Sequence, residues 1–318
     1  MRFDVFNGDA DGLCALHQLR LARPAEAVLV TGVKREIRLL AGVRAGAGDA
    51  VTVLDVSFAE NRGDVLRLLA AGAEVLYFDH HHAGDVPAHP ALEAHLDPAP
   101  ETCTSLLVDA RLGGAHRAWA VAAAFGDNLA AAARRAAEPL GLDEPRLAAL
   151  AALGEALNYN GYGDTLADLH FHPAQLYRAV HPHADPWECL RRAPEVDVLR
   201  RGLAEDLARA EAGAPLLDDP AGRAFRLPDA PWARRVQGVF ANRLANAAPR
   251  LATALIVDNP DGTLRVSVRA PLERRAGADA LCRSFPGGGG RAAAAGINRL
   301  PPADLPRFLR AFREAFQA

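Results

Sequence analysis

Three short runs of apolar and β-branched residues, each delivering carboxylates at its C-terminal end, constrain this chain more than any other feature. Arg2-Phe3-Asp4-Val5-Phe6 leads into Asn7-Gly8-Asp9-Ala10-Asp11-Gly12, Val51-Thr52-Val53-Leu54 into Asp55, and Glu74-Val75-Leu76-Tyr77-Phe78 into Asp79-His80-His81-His82. Runs of this kind, separated by helix-like stretches, predict buried parallel strands. Asp11 to Leu21 and Ala59 to Leu69 read as the helices, and Ala27 to Val33 as a further strand. The series predicts an α/β fold built on a doubly wound, mostly parallel sheet. Ligands of such sheets collect outside the carboxyl ends of the strands, so the three acidic elements are expected along one edge.

The 318 residues are enough for two domains, each with its own core. Residues 104–157 read as mostly helical with alanine-rich faces. Leu157 to Gly163 and Leu169 to Pro173 read as an ordered loop. Strong helix formers over Val196–Ala212 suggest a linker helix ending at the turn Asp218-Asp219-Pro220-Ala221-Gly222. Beyond it, Ala252–Val257 and Leu264–Arg269 flank an Asp-Gly turn, a hairpin signal. A glycine run, Gly287 to Gly290, precedes an alanine-rich stretch that reads as a helix, and a last helix is expected from about Asp304 to Phe316. The expected division is 1–195 for the sheet domain, 196–218 for the linker helix and 219–318 for a smaller α+β domain. Charge follows a similar division: residues 1–219 carry net −12 and residues 220–318 net +9. An acidic part suited to cations beside a basic part suited to an anion suggests divided labour.

Taken singly, the acidic elements have plain explanations, because Asp caps helices and Asp-Gly makes turns. Adjacent histidines after a buried strand are harder to explain as packing. Three carboxylate groups on one sheet edge would be costly without cations. The combination therefore points to metal, and its oxygen-rich donors with one or two imidazoles suit Mn²⁺, with Mg²⁺ as the alternative. Two such ions about 3.5–4 Å apart can activate water and stabilise the leaving oxygen of a phosphoryl centre. His170, His172, His181 and His183 could form another metal site by spacing, but His-Pro pairs in loops more often serve turns and packing. Tyr159, Tyr162 and Phe171 could stack on bases or pack the protein interior.

The four cysteines, Cys14, Cys103, Cys189 and Cys282, form no CxxC pair, which favours a reducing compartment. The N-terminus shows no long apolar segment of a signal peptide, and the alanine-rich stretch around Ala118–Ala133 is too short and interrupted to span a bilayer. A cytoplasmic protein without membrane contact is expected.

Asp-x-Asp-Gly, a strand-terminal Asp, Asp-His-His and the later Gly126-Asp127 together resemble the DHH phosphoesterase superfamily. Val266-Ser267-Val268-Arg269 and Phe285-Pro286-Gly287-Gly288-Gly289-Gly290-Arg291-Ala292-Ala293-Ala294-Ala295-Gly296 are similar to elements of the DHH-associated domain. The superfamily includes RecJ-type exonucleases, nanoRNases, cyclic dinucleotide phosphodiesterases, pyrophosphatases and exopolyphosphatases. The resemblance implies one metal on Asp9 and Asp55 and another on Asp11, Asp55, His80 and Asp127, with Asn7 a further oxygen donor to the first. It implies that Asp79 orients the histidines and that His81 contacts phosphate or protonates the leaving oxygen. Two departures stand out: Val5 and Asn7 occupy positions where members carry His or Asp, and Arg291 stands where the glycine motif has His. Arg can still grip a phosphate bidentately but cannot shuttle a proton.

The expected activity is two-metal hydrolysis of short oligonucleotides, dinucleotides or nucleoside bisphosphates, held between the domains. Arg269, Gly288, Gly289, Gly290 and Arg291 would bind the distal phosphate or terminal nucleotide. Near-neutral overall charge disfavours long duplex nucleic acid as a partner, and a homodimer is compatible with the sequence. Two alternatives stand beside this reading: an inorganic pyro- or polyphosphatase, and a degenerate module that binds nucleotide without turning it over.

Overall fold

The three runs that end in carboxylates are neighbouring parallel strands. The computed structural model describes Met1–Gln317, and the chain divides into two compact units, Met1–Gly202 and a second beginning at Leu203. The first unit holds five parallel strands, β1 (Arg2–Asn7), β2 (Val28–Gly32), β3 (Ala50–Leu54), β4 (Glu74–Asp79) and β5 (Leu92–Leu96), in the spatial order β2-β1-β3-β4-β5. In this order the chain winds one way from β1 to β2 and the other way from β3 onward. The switch point lies between β1 and β3, where a crevice opens beyond the strand ends. The doubly wound α/β fold read from the sequence is what forms.

Helix α1 (Ala10–Ala22) starts at this switch point, capped by Asp9, whose Oδ1 accepts the N–H groups of Asp11 and Gly12. Helix α2 (Phe58–Ala70) covers the other face of the sheet. There Phe58, Val65 and Leu68 pack with Val5, Val53, Val75 and Tyr77. Each large apolar side chain removed from water in this way stabilises by about 1.5–3 kcal/mol. Strand β5 has no counterpart in the sequence reading. Its residues Leu-Glu-Ala-His-Leu are only half-buried at the sheet edge and lack a continuous apolar run.

A helical layer follows: α3 (Thr104–Arg111), α4 (Arg117–Gly126), α5 (Ala130–Ala137), α6 (Glu144–Gly161), α7 (Pro173–Val180) and α8 (Pro186–Arg192). Helix α4 packs against α1 and α6. The α4–α6 crossing is at backbone contact, since a Cβ on Gly154 would stand 1.8 Å from the carbonyl oxygen of Ala122. The stretch Leu157–Gly161, expected as loop, is instead the last turn of α6. Asn, Tyr and Gly are poor helix formers, but packing overrides propensity here. Tyr159 is buried with its hydroxyl 2.8 Å from Nε2 of His170, and the Asn160 amide exchanges two hydrogen bonds with the Phe171 backbone.

The division between units falls inside α9 (Pro194–Glu211). The second unit is a six-stranded mixed sheet of β6 (Leu217–Asp219), β7 (Gly222–Leu227), β8 (Ala252–Asp258), β9 (Leu264–Arg269), β10 (Gly288–Arg291) and β11 (Ala294–Leu300), in the order β10-β11-β9-β8-β7-β6. Helix α10 (Pro231–Ala247) packs on β8 and β9. Helices α11 (Ala278–Arg283) and α12 (Leu305–Phe316) close a core that includes Ile256, Val266, Ile297, Phe308 and Phe312. The β8–β9 hairpin and the last helix match the sequence reading. The helix expected from the alanine run after Arg291 is absent: Ala294–Leu300 is strand β11. Alanine's helix preference is small per residue, and the run satisfies its backbone between β9 and β10 on both sides.

All four cysteines are buried and free. Among the described residues no helix is long and apolar enough to cross a membrane.

Candidate metal centre

The centre is assembled beyond the ends of β1, β3 and β4. Asp55 follows β3 directly and adopts φ 58°, a left-handed conformation rare for a residue with a side chain. Holding it there stores about 1–3 kcal/mol of backbone strain. Its N–H donates to the Phe78 carbonyl at 3.0 Å, and its Oδ1 accepts from the Thr104 hydroxyl at 3.3 Å. Asp11, in the first turn of α1, receives the N–H groups of Thr104 and Ser105 at 2.7 Å each and so also closes the N-terminus of α3. Asp127 sits at the C-cap of α4.

His80 gathers these carboxylates. Its Nε2 lies 3.4 Å from Asp55 Oδ1, 3.7 Å from Asp127 Oδ2 and 4.0 Å from Asp11 Oδ2. Its other nitrogen, Nδ1, is 2.9 Å from the Thr102 carbonyl oxygen, which can only accept. Nδ1 therefore carries the proton, and Nε2 is presented to the acidic cluster, the arrangement in which a ligating imidazole is usually fixed. His81 turns differently. Its Nδ1 lies 2.6 Å from Asp79 Oδ1, while Asp79 Oδ2 accepts the Phe58 N–H at the start of α2. Asp79 thus anchors His81, and Thr102 anchors His80.

The electrostatics describe a centre short of positive charge. Burial, then the charges of Asp9 and Asp11, push the Asp55 carboxyl well above the ordinary carboxylate range. Burial likewise raises Asp11. Burial works against protonated His80, but its contact with Asp55 and the charges of Asp55, Asp11 and Asp127 lift it to about 10. Two triads bring one donor atom per residue within 4.8 Å of one another: Asp55, His80 and His81, and Asp11, His80 and Asp127. These oxygen and imidazole donors fit Mn²⁺ or Mg²⁺.

Asp9 faces Asp55 and also meets a cation of the chain itself. Its Oδ2 lies 2.5 Å from Nζ of Lys34, which also lies 3.1 Å from Asp127 Oδ1 and 3.3 Å from Asn158 Oδ1. Burial would raise the Asp9 carboxyl, but the Lys34 charge and hydrogen bond, aided by the Gly12 N–H, bring it below its ordinary value. Burial would lower the Lys34 ammonium, which Asp9 and Asp127 instead push well above its usual range. Gly161 makes this pairing sterically feasible, since a Cβ there would lie 2.8 Å from the Cβ of Asp9. Asn7 donates its amide N–H to the Lys34 carbonyl at 3.2 Å, and its buried Oδ1 has no hydrogen-bond partner among the described residues. Neither Lys34 nor Asn158 carries a motif. One sequence signal was nonetheless available: Lys34 is the only lysine in the chain.

In the second unit, strand register places Arg291, Ala294 and Arg269 in one row, and Gly289, Gly296 and Ser267 in the next row on the same face. Arg269 Nε donates to Asn242 Oδ1 at 3.3 Å, which ties it to α10. The rows form a shelf floored by glycine and alanine with an arginine on each side. Gly288 lies on the opposite face, opposite Ile297, and Gly290 is exposed beside Arg291. The helix N-terminus expected behind the glycine run does not exist, so any anion held there would rely on the arginines and strand backbone.

The histidine cluster of the helical layer does not converge. His172 caps α7, His170 meets Tyr159, His181 meets Tyr177, and the His183 carbonyl accepts from His17. Buried Tyr159 serves packing, whereas Tyr162 lies with its ring 5.5 Å from Lys34 Nζ.

Residues 224–318 match the DHHA1 domain family. The chain resembles the solved DHH domain of a protein assigned to a family of ribosomal proteins, with 15% identity and TM-score 0.61, covering 98% of this chain and 85% of that one. RecJ from Thermus thermophilus in complex with Mn²⁺ aligns at 21% identity and TM-score 0.59, covering 100% of this chain but 52% of RecJ. The pGpG-specific phosphodiesterase PggH from Vibrio cholerae aligns at 15% identity and TM-score 0.58, covering 99% and 98%. No curated protein matches the sequence. The second unit thus carries a DHHA1 domain, and the fold of the whole chain is similar to that of solved DHH-domain proteins.

Proposed function

We propose that this chain is a divalent-cation-dependent phosphoesterase that hydrolyses short nucleotide substrates: dinucleotides, short oligonucleotides or nucleoside bisphosphates. The observation that carries the reading is the position of His80 Nε2, within 4.0 Å of carboxylate oxygens from Asp11, Asp55 and Asp127. Asp11, Asp55, His80 and Asp127 would hold the ion, with Mn²⁺ preferred over Mg²⁺ by the imidazole. A divalent ion bound there supplies polarisation of a phosphoryl oxygen and acidification of water. His81 donates Nδ1–H to Asp79, and in its imidazolium form the half-exposed ring would pass the Nε2 proton to the leaving oxygen and become neutral. Arg269 and Arg291, separated by the β11 strand, would grip the remaining phosphate.

The similarity of fold to a pGpG-specific phosphodiesterase and to RecJ with Mn²⁺ supports a nucleotide substrate. The four free, buried cysteines support action in the cytoplasm. The test is Mn²⁺-dependent hydrolysis of a panel: RNA and DNA dinucleotides, linear and cyclic diadenylate, adenosine 3′,5′-bisphosphate and tripolyphosphate. Mononucleotide release from dinucleotides, lost in His81→Ala, is the expected result. Phosphate release from tripolyphosphate alone would make it a polyphosphatase. Nucleotide binding with no turnover of any compound would overturn the enzyme reading.

A further inference from the structure

Lys34 is the only lysine among 36 basic Lys and Arg side chains, and it lies in the acidic centre. A lysine ammonium has three N–H donors. Here three oxygens meet it: Asp9 Oδ2 at 2.5 Å, Asp127 Oδ1 at 3.1 Å and Asn158 Oδ1 at 3.3 Å. Its backbone is fixed as well. The Lys34 N–H donates to the Gly161 carbonyl at 2.8 Å, and the Lys34 carbonyl accepts from the Asn7 amide at 3.2 Å. An arginine could not take this role, because its planar fork cannot act as a compact point charge among three separated acceptors.

Both oxygens of Asp9 already have partners inside the chain, Oδ1 two backbone N–H groups and Oδ2 the ammonium, on a side chain that also faces Asp55. Asp127 divides its oxygens, Oδ1 toward Lys34 and Oδ2 toward His80. Among the described residues, the triads of carboxylate and imidazole donors that could close on one ion all include His80.

We infer that Lys34 stands in for one of two cations: the centre takes a single divalent ion, on Asp11, Asp55, His80 and Asp127, and a fixed ammonium neutralises Asp9. This rests on the metal-centre reading above. It also accounts for Val5 and Asn7, two positions where the sequence offers no imidazole or carboxylate to a first ion. Asn7 instead orients the Lys34 backbone.

Mn²⁺ binding to the full chain, followed by calorimetry and electron paramagnetic resonance, tests the inference without reference to turnover. The expected result is one Mn²⁺ per chain with an uncoupled spectrum. Lys34→Ala is expected to raise the stoichiometry to two and to produce a spin-coupled pair. Two coupled ions in the unaltered chain, or a stoichiometry of one in Lys34→Ala, would overturn it. No binding to the unaltered chain is a different failure, that of the metal centre itself. Should Lys34→Ala not fold, ¹⁵N-lysine labelling of the unaltered chain gives one ammonium signal to follow. That signal is expected to persist at saturating Mg²⁺, and its loss would show that the ion displaces the ammonium.

Discussion

The carboxylate of Asp79 holds His81 at 2.6 Å with one oxygen and the first N–H of α2 with the other. This fixes the ring by its inner nitrogen and leaves the outer one toward solvent. His81→Ala is therefore expected to lower kcat by about 10²–10⁴-fold, the usual worth of a general acid. Asp79→Ala should lose about 10–100-fold in kcat through disorientation. Mn²⁺ affinity measured by calorimetry should change far less than kcat in both variants. Equal losses in binding and turnover would show that His81 is a ligand rather than a proton donor.

Asp11 serves two structures at once, and the consequences separate experimentally. In Asp11→Asn one of the N–H groups of Thr104 and Ser105 loses its charged acceptor and faces an amide donor. Destabilisation of about 1–3 kcal/mol is expected in urea unfolding of the metal-free chain, together with weaker Mn²⁺ binding. Unchanged stability would show that the α3 terminus does not depend on this carboxylate.

His17 should make stability pH-dependent. It is fully buried, with Nε2 2.8 Å from the His183 carbonyl oxygen and its ring edge-on to Trp119. Burial depresses it from 6.5 to about 3. The folded state therefore keeps it neutral while the unfolded chain takes up a proton below pH 6.5. Its stabilising contribution is complete above about 6.5 and is lost as pH falls toward 3, at about 1.4 kcal/mol per pH unit. Between pH 7 and 5, His17→Gln should lose about 2 kcal/mol less than the unaltered chain in urea unfolding. Parallel losses in the two proteins would refute this.

The arginine shelf of the second unit should affect substrate and not metal. Arg269→Ala and Arg291→Ala are each expected to raise KM by roughly 10-fold or more, the worth of a charge-assisted hydrogen bond, with kcat and Mn²⁺ affinity little changed. Steady-state kinetics on a dinucleotide would check it, and unchanged KM in both variants would remove the shelf from the substrate site.

The strand-end carboxylates were legible because each lies next to its own strand, so sequence order alone put Asp9, Asp11, Asp55 and Asp79 on one edge. Asp127 follows a helix and no strand, so only the resemblance of Gly126-Asp127 to a family motif pointed to it. Lys34 was not legible by motif, because its role depends on Asp9, Asp127 and Asn158, which lie 25 to 124 residues away. The alanine run after Arg291 misled because propensity was weighed without the two strands that pair with it. The end of α6 misled in the opposite sense. Poor helix formers there are held helical by buried contacts with His170 and Phe171.

The most direct test of the central claim is a Mn²⁺ titration followed in parallel by calorimetric binding and by dinucleotide hydrolysis, in the unaltered chain and in His80→Ala. Turnover is expected to rise with occupancy of the site, and both signals are expected to be lost in the variant. Hydrolysis that persists in chelator, or that survives His80→Ala, would contradict a phosphoesterase centre built on His80.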